Sequence, residues 1–483
     1  MKELKFSKLL GFPTLSLLFL SNTVCLDEHD RKPMSQVKPG GEKISDLTID
    51  NPNVIIIYSD DQGIGDLGVY GGKNIYTPHT DRLAERGVLF TQMYAPSSIC
   101  SPSRAGLLTG RYPQRAGMPG NAAPPPLTGI DDGNGYPGLP SDQPSMGIIL
   151  SNAGYKTAMI GKWHLGYNSG NRPDDHGFDY WFGHIGGVID NYSHFFHWSG
   201  PTRHDLWRNG ERVYRPGEYF PDLMLEEAQN FIIAHKDRPF FIYYSLNTPH
   251  WPYQGDPHWI EQYQDIHISY PRDIYGAFVS AQDERIGKLL ATLEQLQLID
   301  NTIIIFQSDN GHSVEERAHF GGGNAGIYRG AKRGLFEGGI RVPSIICWPG
   351  VIPENEIRNQ MVHGIDWLPT LLELLGLDYP MEKLDGKSIT GIIQSDLAES
   401  PHEVLFWERT YRNQWVVRKG PWKLYANAID HPGMHELSQQ DRELFLANLD
   451  EDPGETINLV NDFPDIVENL KALYMQWKKS LQR

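Results

Sequence analysis

The chain has 483 residues, 40% of them hydrophobic, 11% aromatic and 21% charged, with a formal net charge of −17. That length supports a large core and two domains, and the composition excludes a long disordered chain. The charge excludes a general nucleic-acid binder, which needs a basic face; an anionic substrate would need a local cationic cluster to overcome the overall field.

At the N-terminus, Lys2, Lys5 and Lys8 lead into the apolar run Leu9–Leu20, which is too short to span a membrane and reads as an export signal over residues 1–26. Cys25 offers lipoprotein anchoring as an alternative, although Asn22-Thr23-Val24 departs from the usual small-residue context. The expected location is therefore outside the cytoplasm, periplasmic or secreted. Cys25 leaves with the leader, so Cys100 and Cys347 remain and no disulfide framework is implied. Residues 27–50 are polar and broken by Pro33, Pro39, Gly40 and Gly41, as in a linker.

Four apolar runs follow: Val54–Ser59, Lys156–Ile160, Phe240–Ser245 and Thr302–Ser308. Continuous apolar runs of this length predict strands buried on both faces. Helical patterns lie between them at Asp81–Arg86, Ser145–Ala153, Asp222–His235 and Tyr275–Leu298. This alternation predicts an α/β fold with a large mixed, mostly parallel sheet flanked by helices. Residues 121–142 read as a long surface loop, and residues 171–209 as irregular chain carrying His176, His184, His194, His197 and His204. A boundary at Leu384-Asp385-Gly386 ends a catalytic domain over 51–385. Beyond it, runs at Val404–Glu408, Gln414–Arg418, Trp422–Tyr425 and Glu443–Asn448, then a helix over Phe463–Leu481, predict a C-terminal subdomain over 386–483 with an antiparallel sheet and one helix.

Each of the four apolar runs ends in groups that can do chemistry: Asp60-Asp61, Lys162 and His164, His250, and Asp309-Asn310. Ligands in such sheets sit beyond the carboxyl ends of the strands. A single Asp or Asn there is ordinarily a turn former or cap; four such endings together favour a site. Three carboxylates and an amide, with no ligands of zinc spacing, suit a hard cation such as Ca²⁺, with Mg²⁺ as the alternative. Lys162 and His164, two apart on an extended segment, would point the same way. Arg104, Lys162, Lys332, His164 and His250 beside such a cation fit a tetrahedral oxyanion ester, phosphate or sulfate. Cys100 stands before Ser101-Pro102-Ser103-Arg104, where Pro102 as first helical residue would make Ser101 the cap. A lone cysteine there is ordinarily a buried structural residue.

The stretch Cys100-Ser101-Pro102-Ser103-Arg104, continued to Thr109-Gly110-Arg111, resembles the C-x-P-x-R signature of the type I sulfatases. Gly161-Lys162-Trp163-His164-Leu165-Gly166 resembles their second signature, and the likeness runs from about Pro52 to the C-terminus. Residues 176–183 resemble the arylsulfatase A and N-acetylgalactosamine-6-sulfatase branch. The resemblance implies an alkaline-phosphatase-like fold and a sulfuric ester hydrolase, in which a maturation enzyme oxidises Cys100 to formylglycine. One oxygen of the hydrated aldehyde then attacks sulfur, and the other expels sulfate. It further implies that Asp60, Asp61, Asp309 and Asn310 hold Ca²⁺, and that Arg104 holds the diol. His164 is the base, Lys162 and Lys332 grip sulfate, and His250 protonates the leaving oxygen. The alternatives are a phosphonate or phosphate monoester hydrolase of the same superfold and a non-catalytic sulfated-glycan-binding relative. The expected substrate is a sulfated carbohydrate attacked from a chain end, with Asp190, Asn191, His194, Arg203, His204, Trp251, His312 and His319 as its contacts.

Overall fold

The centre of the molecule is the strand Asn53–Ser59 (β1), whose seven residues are all buried. Its alternate side chains feed two cores: Val54, Ile56 and Tyr58 enter the one that includes Trp163 and Trp367, and Ile55 and Ile57 enter the one under the helix Phe220–His235. β-Branched side chains suit this placement because both faces of the pleat are packed. The computed structural model describes residues 51–123, 135–196, 202–431 and 436–481. The expected export signal and linker, His197 and much of the loop expected over 121–142 lie outside these residues. No helix among the described residues is long and apolar enough to cross a membrane.

In chain order the other strands of the main sheet are Gly87–Phe90 (β2), Lys156–Lys162 (β3), Tyr180–His184 (β4), Trp207–Arg208 (β5), Glu211–Arg212 (β6), Phe240–Ser245 (β7), Thr302–Ser308 (β8), Ser344–Cys347 (β9) and Glu356–Arg358 (β10). They lie in the order β10-β2-β9-β8-β1-β7-β3-β4-β5-β6. The five central strands, β8 to β4, are mutually parallel, and antiparallel pairs appear toward both edges. The carboxyl ends of β1, β7, β3 and β8 therefore open on one edge of the sheet. Two expectations need correction here. The run Lys156–Ile160 continues as strand through Lys162, and residues 180–184, expected to be irregular, form β4 beside it. The short β4 is carried by pairing along β3, register Lys162↔His184, rather than by a long apolar run.

Gly161 in β3 has φ 115°, and a Cβ there would lie 2.0 Å from the Ser245 carbonyl. Glycine thus lets β3 close on β7 at the level of the site.

The C-terminal region holds the antiparallel strands Val404–Arg409 (β11), Gln414–Lys419 (β12), Trp422–Ala426 (β13) and Leu444–Asn448 (β14), paired in that order. One face packs on the helix Pro464–Ser480, with Trp415 stacked on Tyr474 at 4.2 Å and Phe406 on Trp477 at 5.0 Å. Leu405, Trp407, Val416 and Tyr425 pack on Leu335, Phe336 and Ile340 of the larger body. One-turn helices at Thr390–Gln394 and Gln439–Glu443 add to the single helix expected.

Candidate active site

Beyond the strand ends the backbone is cross-linked. Asp60 N–H donates to the Thr248 carbonyl at 2.9 Å, Asp309 N–H to the Ser59 carbonyl at 3.0 Å, and Asp61 N–H to Asp309 Oδ1 at 3.1 Å. These bonds fix three carboxylates side by side, all essentially inaccessible to solvent. Three cations answer them. Lys162 Nζ meets Asp60 Oδ2 at 2.6 Å, Lys332 Nζ meets Asp61 Oδ2 at 2.7 Å, and Arg104 Nη2 meets Asp309 Oδ2 at 2.9 Å and Asp60 Oδ1 at 3.5 Å. Buried charges are tolerated only when paired in this way.

Burial pushes the Asp60 carboxyl up to about 7, against the pull of Lys162 and Arg104. Burial also raises Asp61, against Lys332. Burial acts likewise on Asp309, but Arg104, Lys162 and Lys332 together outweigh it and hold that carboxyl below its ordinary value. His164 and His250 are held neutral, first by burial and then by the neighbouring lysines.

Cys100 is the first residue of the helix Cys100–Thr109 (α1), and Ile99 is its cap, with Ser103 N–H returning to the Ile99 carbonyl at 3.3 Å. The helix thus begins two residues earlier than the proline rule suggests. Pro102 sits in the first turn, where its missing N–H costs no bond. Ser101, expected as the cap, instead donates to the His164 carbonyl at 2.6 Å and accepts from Ala122 N–H at 3.1 Å, tying α1 to the second motif. Cys100 Sγ faces Asp60 Oδ1 at 3.7 Å. Burial pushes this thiol up to about 12, so it is no ready thiolate.

Ligand atoms of Asp60, Asp61, Cys100 and His250 lie within 4.8 Å of one another. Asn310 Nδ2 donates to Asp61 Oδ1 at 2.8 Å, whereas its buried Oδ1 has no partner. An orphaned amide oxygen among oxygen donors is what a hard cation would satisfy. His250 presents Nε2 to Asp61 Oδ2 at 3.6 Å, its other ring nitrogen lying 2.7 Å from the Trp251 carbonyl. His164 does not continue the extended segment: its φ is 54°, and its ring lies over Gly187, where a Cβ would come within 2.6 Å of it.

The structure thus brings together Cys100, Arg104, Lys162, His164, His250, Lys332, Asp60, Asp61, Asp309 and Asn310. The expected sugar contacts divide. Trp251 adjoins His250, with Arg317 over its ring at 4.7 Å and its indole N–H 3.4 Å from Glu315 Oε2. His312 lends its carbonyl to Lys332 N–H at 2.9 Å. Arg203 lies 3.8 Å over Phe196, and His204 stacks on Tyr214 at 4.4 Å. His319 Nδ1 meets the Tyr270 hydroxyl at 2.5 Å. Asp190, Asn191 and His194 are held by internal bonds. Asp190 accepts from Ser193 N–H and Gln254, Asn191 bonds Gln254 and Asn247, and His194 meets the Glu218 carbonyl. Loop histidines and amides that read as exposed contacts are here what closes the loop.

Two residues escaped sequence reasoning. Ser245, at the end of β7, donates to the Lys162 carbonyl at 2.6 Å and accepts from Arg104 Nη1 at 2.5 Å. Its signal was available, since it ends an apolar run as Asp60 and Asp309 do. His184 is fully buried beside Lys162 in register; without β4 it had no assigned place.

A sequence model described as Sulfatase matches residues 52–377, and one described as N-sulphoglucosamine sulphohydrolase, C-terminal, matches residues 323–480. N-acetylgalactosamine-6-sulfatase of Homo sapiens is 32% identical over 472 residues, covering 89% of this chain and 86% of that protein. Arylsulfatase A of Bos taurus is 32% identical, covering 87% and 86%. The crystal structure of Ps i-CgsB in complex with k-i-k-neocarrahexaose superposes with a TM-score of 0.77 at 28% identity, covering 88% of this chain and 92% of that one. With this likeness along nearly the whole chain, and with the two signature motifs joined at one strand edge, the chain belongs to the sulfatase family, enzymes that hydrolyse sulfuric esters.

Proposed function

We propose that this chain removes sulfate from a sulfated carbohydrate, acting from a chain end outside the cytoplasm, with Ca²⁺ and a formylglycine made from Cys100. The supporting observation is the buried cluster in which three carboxylates face three cations around Cys100. Those charges offset one another, so a divalent cation would leave the pocket positive and able to accept an anionic ester. Asp60, Asp61, Asp309 and Asn310 would hold the cation, whose chemistry is to polarise an oxygen and lower the pKa of a bound hydroxyl. The formylglycine side chain, hydrated, supplies an oxygen nucleophile where the buried thiol supplies none.

The chain's own residues do the rest. Lys162 pairs with Asp60 and Lys332 with Asp61, and an ammonium has three donors, so each can also offer N–H groups to sulfate oxygens. Arg104 aligns Asp60 and Asp309 and helps to keep Asp309 ionised. His250 is bonded to the Trp251 carbonyl through Nδ1–H, so in the neutral ring Nε2 beside Asp61 is a bare acceptor; it takes up a proton from solvent, and the resulting imidazolium gives that proton to the leaving alcohol. His164, also neutral, can accept a proton. Sulfated-sugar substrates are supported by the name N-acetylgalactosamine-6-sulfatase and by the neocarrahexaose complex of Ps i-CgsB. The division into a catalytic body over 51–385 and a subdomain over 386–483 belongs to the same reading.

The test is sulfate release from a panel of defined sulfated saccharides, with aryl sulfate and aryl phosphonate as references. Release from at least one saccharide is expected, together with an aldehyde-bearing peptide across Cys100 by mass spectrometry. Activity confined to aryl sulfates removes the carbohydrate reading, a faster aryl phosphonate rate replaces it with a phosphonate hydrolase, and an unmodified thiol in active enzyme removes the formylglycine.

A further inference from the structure

Lys332 reaches Asp61 from a glycine-punctuated loop, Arg329–Gly334, in which Gly330 and Arg333 both have positive φ, 89° and 74°. A lysine is a compact charge on a long flexible stem, so the place it serves is decided by how firmly its backbone is held. On one side Lys332 N–H donates to the His312 carbonyl at 2.9 Å. On the other side the holding groups come from the C-terminal region, chiefly the connection between β13 and β14. His431 Nε2 lies 2.6 Å from the Lys332 carbonyl. A carbonyl only accepts, so Nε2 carries the proton. The main chain at His431 is itself fixed: its backbone N–H donates to Asp430 Oδ1 at 2.9 Å, and Asp430 Oδ2 pairs with Arg329 Nε at 2.6 Å, the side chains of Asp430 and Arg329 both buried. Arg329 also donates to the Glu455 carbonyl at 2.7 Å and covers the Phe336 ring at 4.3 Å. Arg409, at the end of β11, donates to the Arg333 carbonyl.

We propose that His431, backed by Asp430 and Arg329, is a positioning residue for Lys332, so that the connection between β13 and β14 fixes the lysine that grips sulfate. This inference rests on the sulfatase role of Lys332 given above. A 1 Å displacement of a catalytic group can cost about 100-fold in rate. The clamp therefore acts on turnover, through Lys332, rather than on substrate contact.

The test compares Lys332→Ala, His431→Leu, His431→Gln and the double variant Lys332→Ala/His431→Leu in the full mature enzyme on an aryl sulfate. Expected are a loss of kcat of roughly 10- to 100-fold in His431→Leu, a weaker product inhibition by sulfate, and substantial recovery in His431→Gln, whose amide N–H can reach the same carbonyl. In the Lys332→Ala background, His431→Leu should add less than about twofold, because residues acting as one unit are not additive. Multiplicative losses, or full activity of His431→Leu beside a crippled Lys332→Ala, would overturn the clamp alone. Full activity of Lys332→Ala would instead overturn the role of Lys332. Should His431→Leu fail to fold, Asp430→Asn loosens the same support and is expected to show the same non-additivity.

Discussion

Lys162 and Asp60 meet at 2.6 Å with both side chains at 0% exposure, and the same carboxylate accepts Cys100 Sγ and Arg104 on its other oxygen. Lys162 is the largest influence opposing the rise that burial imposes on Asp60. Lys162→Met keeps the stem and removes the charge. Breaking one side of a buried pair costs about 3–5 kcal/mol, and losing one donor to a developing oxyanion costs ~10²–10³ in kcat. Steady-state kinetics on an aryl sulfate with a urea melt reads both. An activity within about threefold of wild type would remove Lys162 from the sulfate-holding set.

Gly161 answers a different demand. With φ 115° and the Ser245 carbonyl 2.0 Å from where a Cβ would stand, Gly161→Ala must separate β3 from β7. The strained backbone alone is worth about 1–3 kcal/mol. Separation would also break the Ser245 bonds to Lys162 and Arg104. Gly154, at φ 92° with nothing within 4 Å, is the control. Gly154→Ala should lose about 1 kcal/mol in denaturant and keep kcat, while Gly161→Ala loses both stability and kcat. Equal effects in the two variants would show that the close approach of the strands is irrelevant.

The legible part of this molecule is what a continuous apolar run announces. β1, β7 and β8 declared themselves by length and by Ile, Val, Phe and Tyr content, and the residues just past β1 and β8 gave Asp60, Asp61, Asp309 and Asn310. The two signature motifs gave Cys100 and Lys162, though not the reason for Gly161, which depends on a carbonyl in another strand. β4 was illegible because five residues including Gly183 form a strand only by pairing with β3, and His184 was lost with it. The internal bonds of Asp190, Asn191 and His194 were illegible for the converse reason: the same polar side chains that bind sugars also satisfy a loop's own backbone. The clamp behind Lys332 joins positions about a hundred residues apart, as Arg329 and Asp430 are, and no local pattern encodes such a pair.

The seam between the two parts holds a titrating group. Lys423, fully buried on β13, lies 2.6 Å from Glu337 and 3.3 Å from Glu455. One lysine serves two carboxylates, and burial leaves Glu455 raised to about 7, while Lys423 and Arg341 outweigh burial at Glu337 and hold it at about 2. Because the native state keeps a proton on Glu455 that the unfolded chain releases near 4.5, this residue's share of stability is present below pH 4.5 and is lost as pH rises through about 7. Glu337 works oppositely, its share being present above about 4.5 and lost toward pH 2, so it does not alter the window between pH 5 and 8. Glu455→Gln should therefore gain on wild type by on the order of 2 kcal/mol between pH 5 and pH 8. Urea melts across that range check it, and parallel profiles for the two proteins would refute the assignment to Glu455.

Asn310 carries the remaining prediction, because its Oδ1 is buried without a partner beside three carboxylates. A ligand that binds only the native state stabilises it by about 2.7 kcal/mol at a hundred times its dissociation constant. Adding Ca²⁺ to chelator-treated enzyme should accordingly raise the melting temperature in a saturable way. Mg²⁺ should do less, since it is reluctant to shed water for an all-protein cage. Asn310→Ala deletes the neutral oxygen and leaves every carboxylate in place, so the melting response should survive and move to about 10-fold or more higher Ca²⁺. Melting is read without turnover, which separates cation binding from the maturation of Cys100. A wild-type melting temperature indifferent to Ca²⁺, or an Asn310→Ala response superimposable on it, would show that the orphaned oxygen answers to something other than a cation.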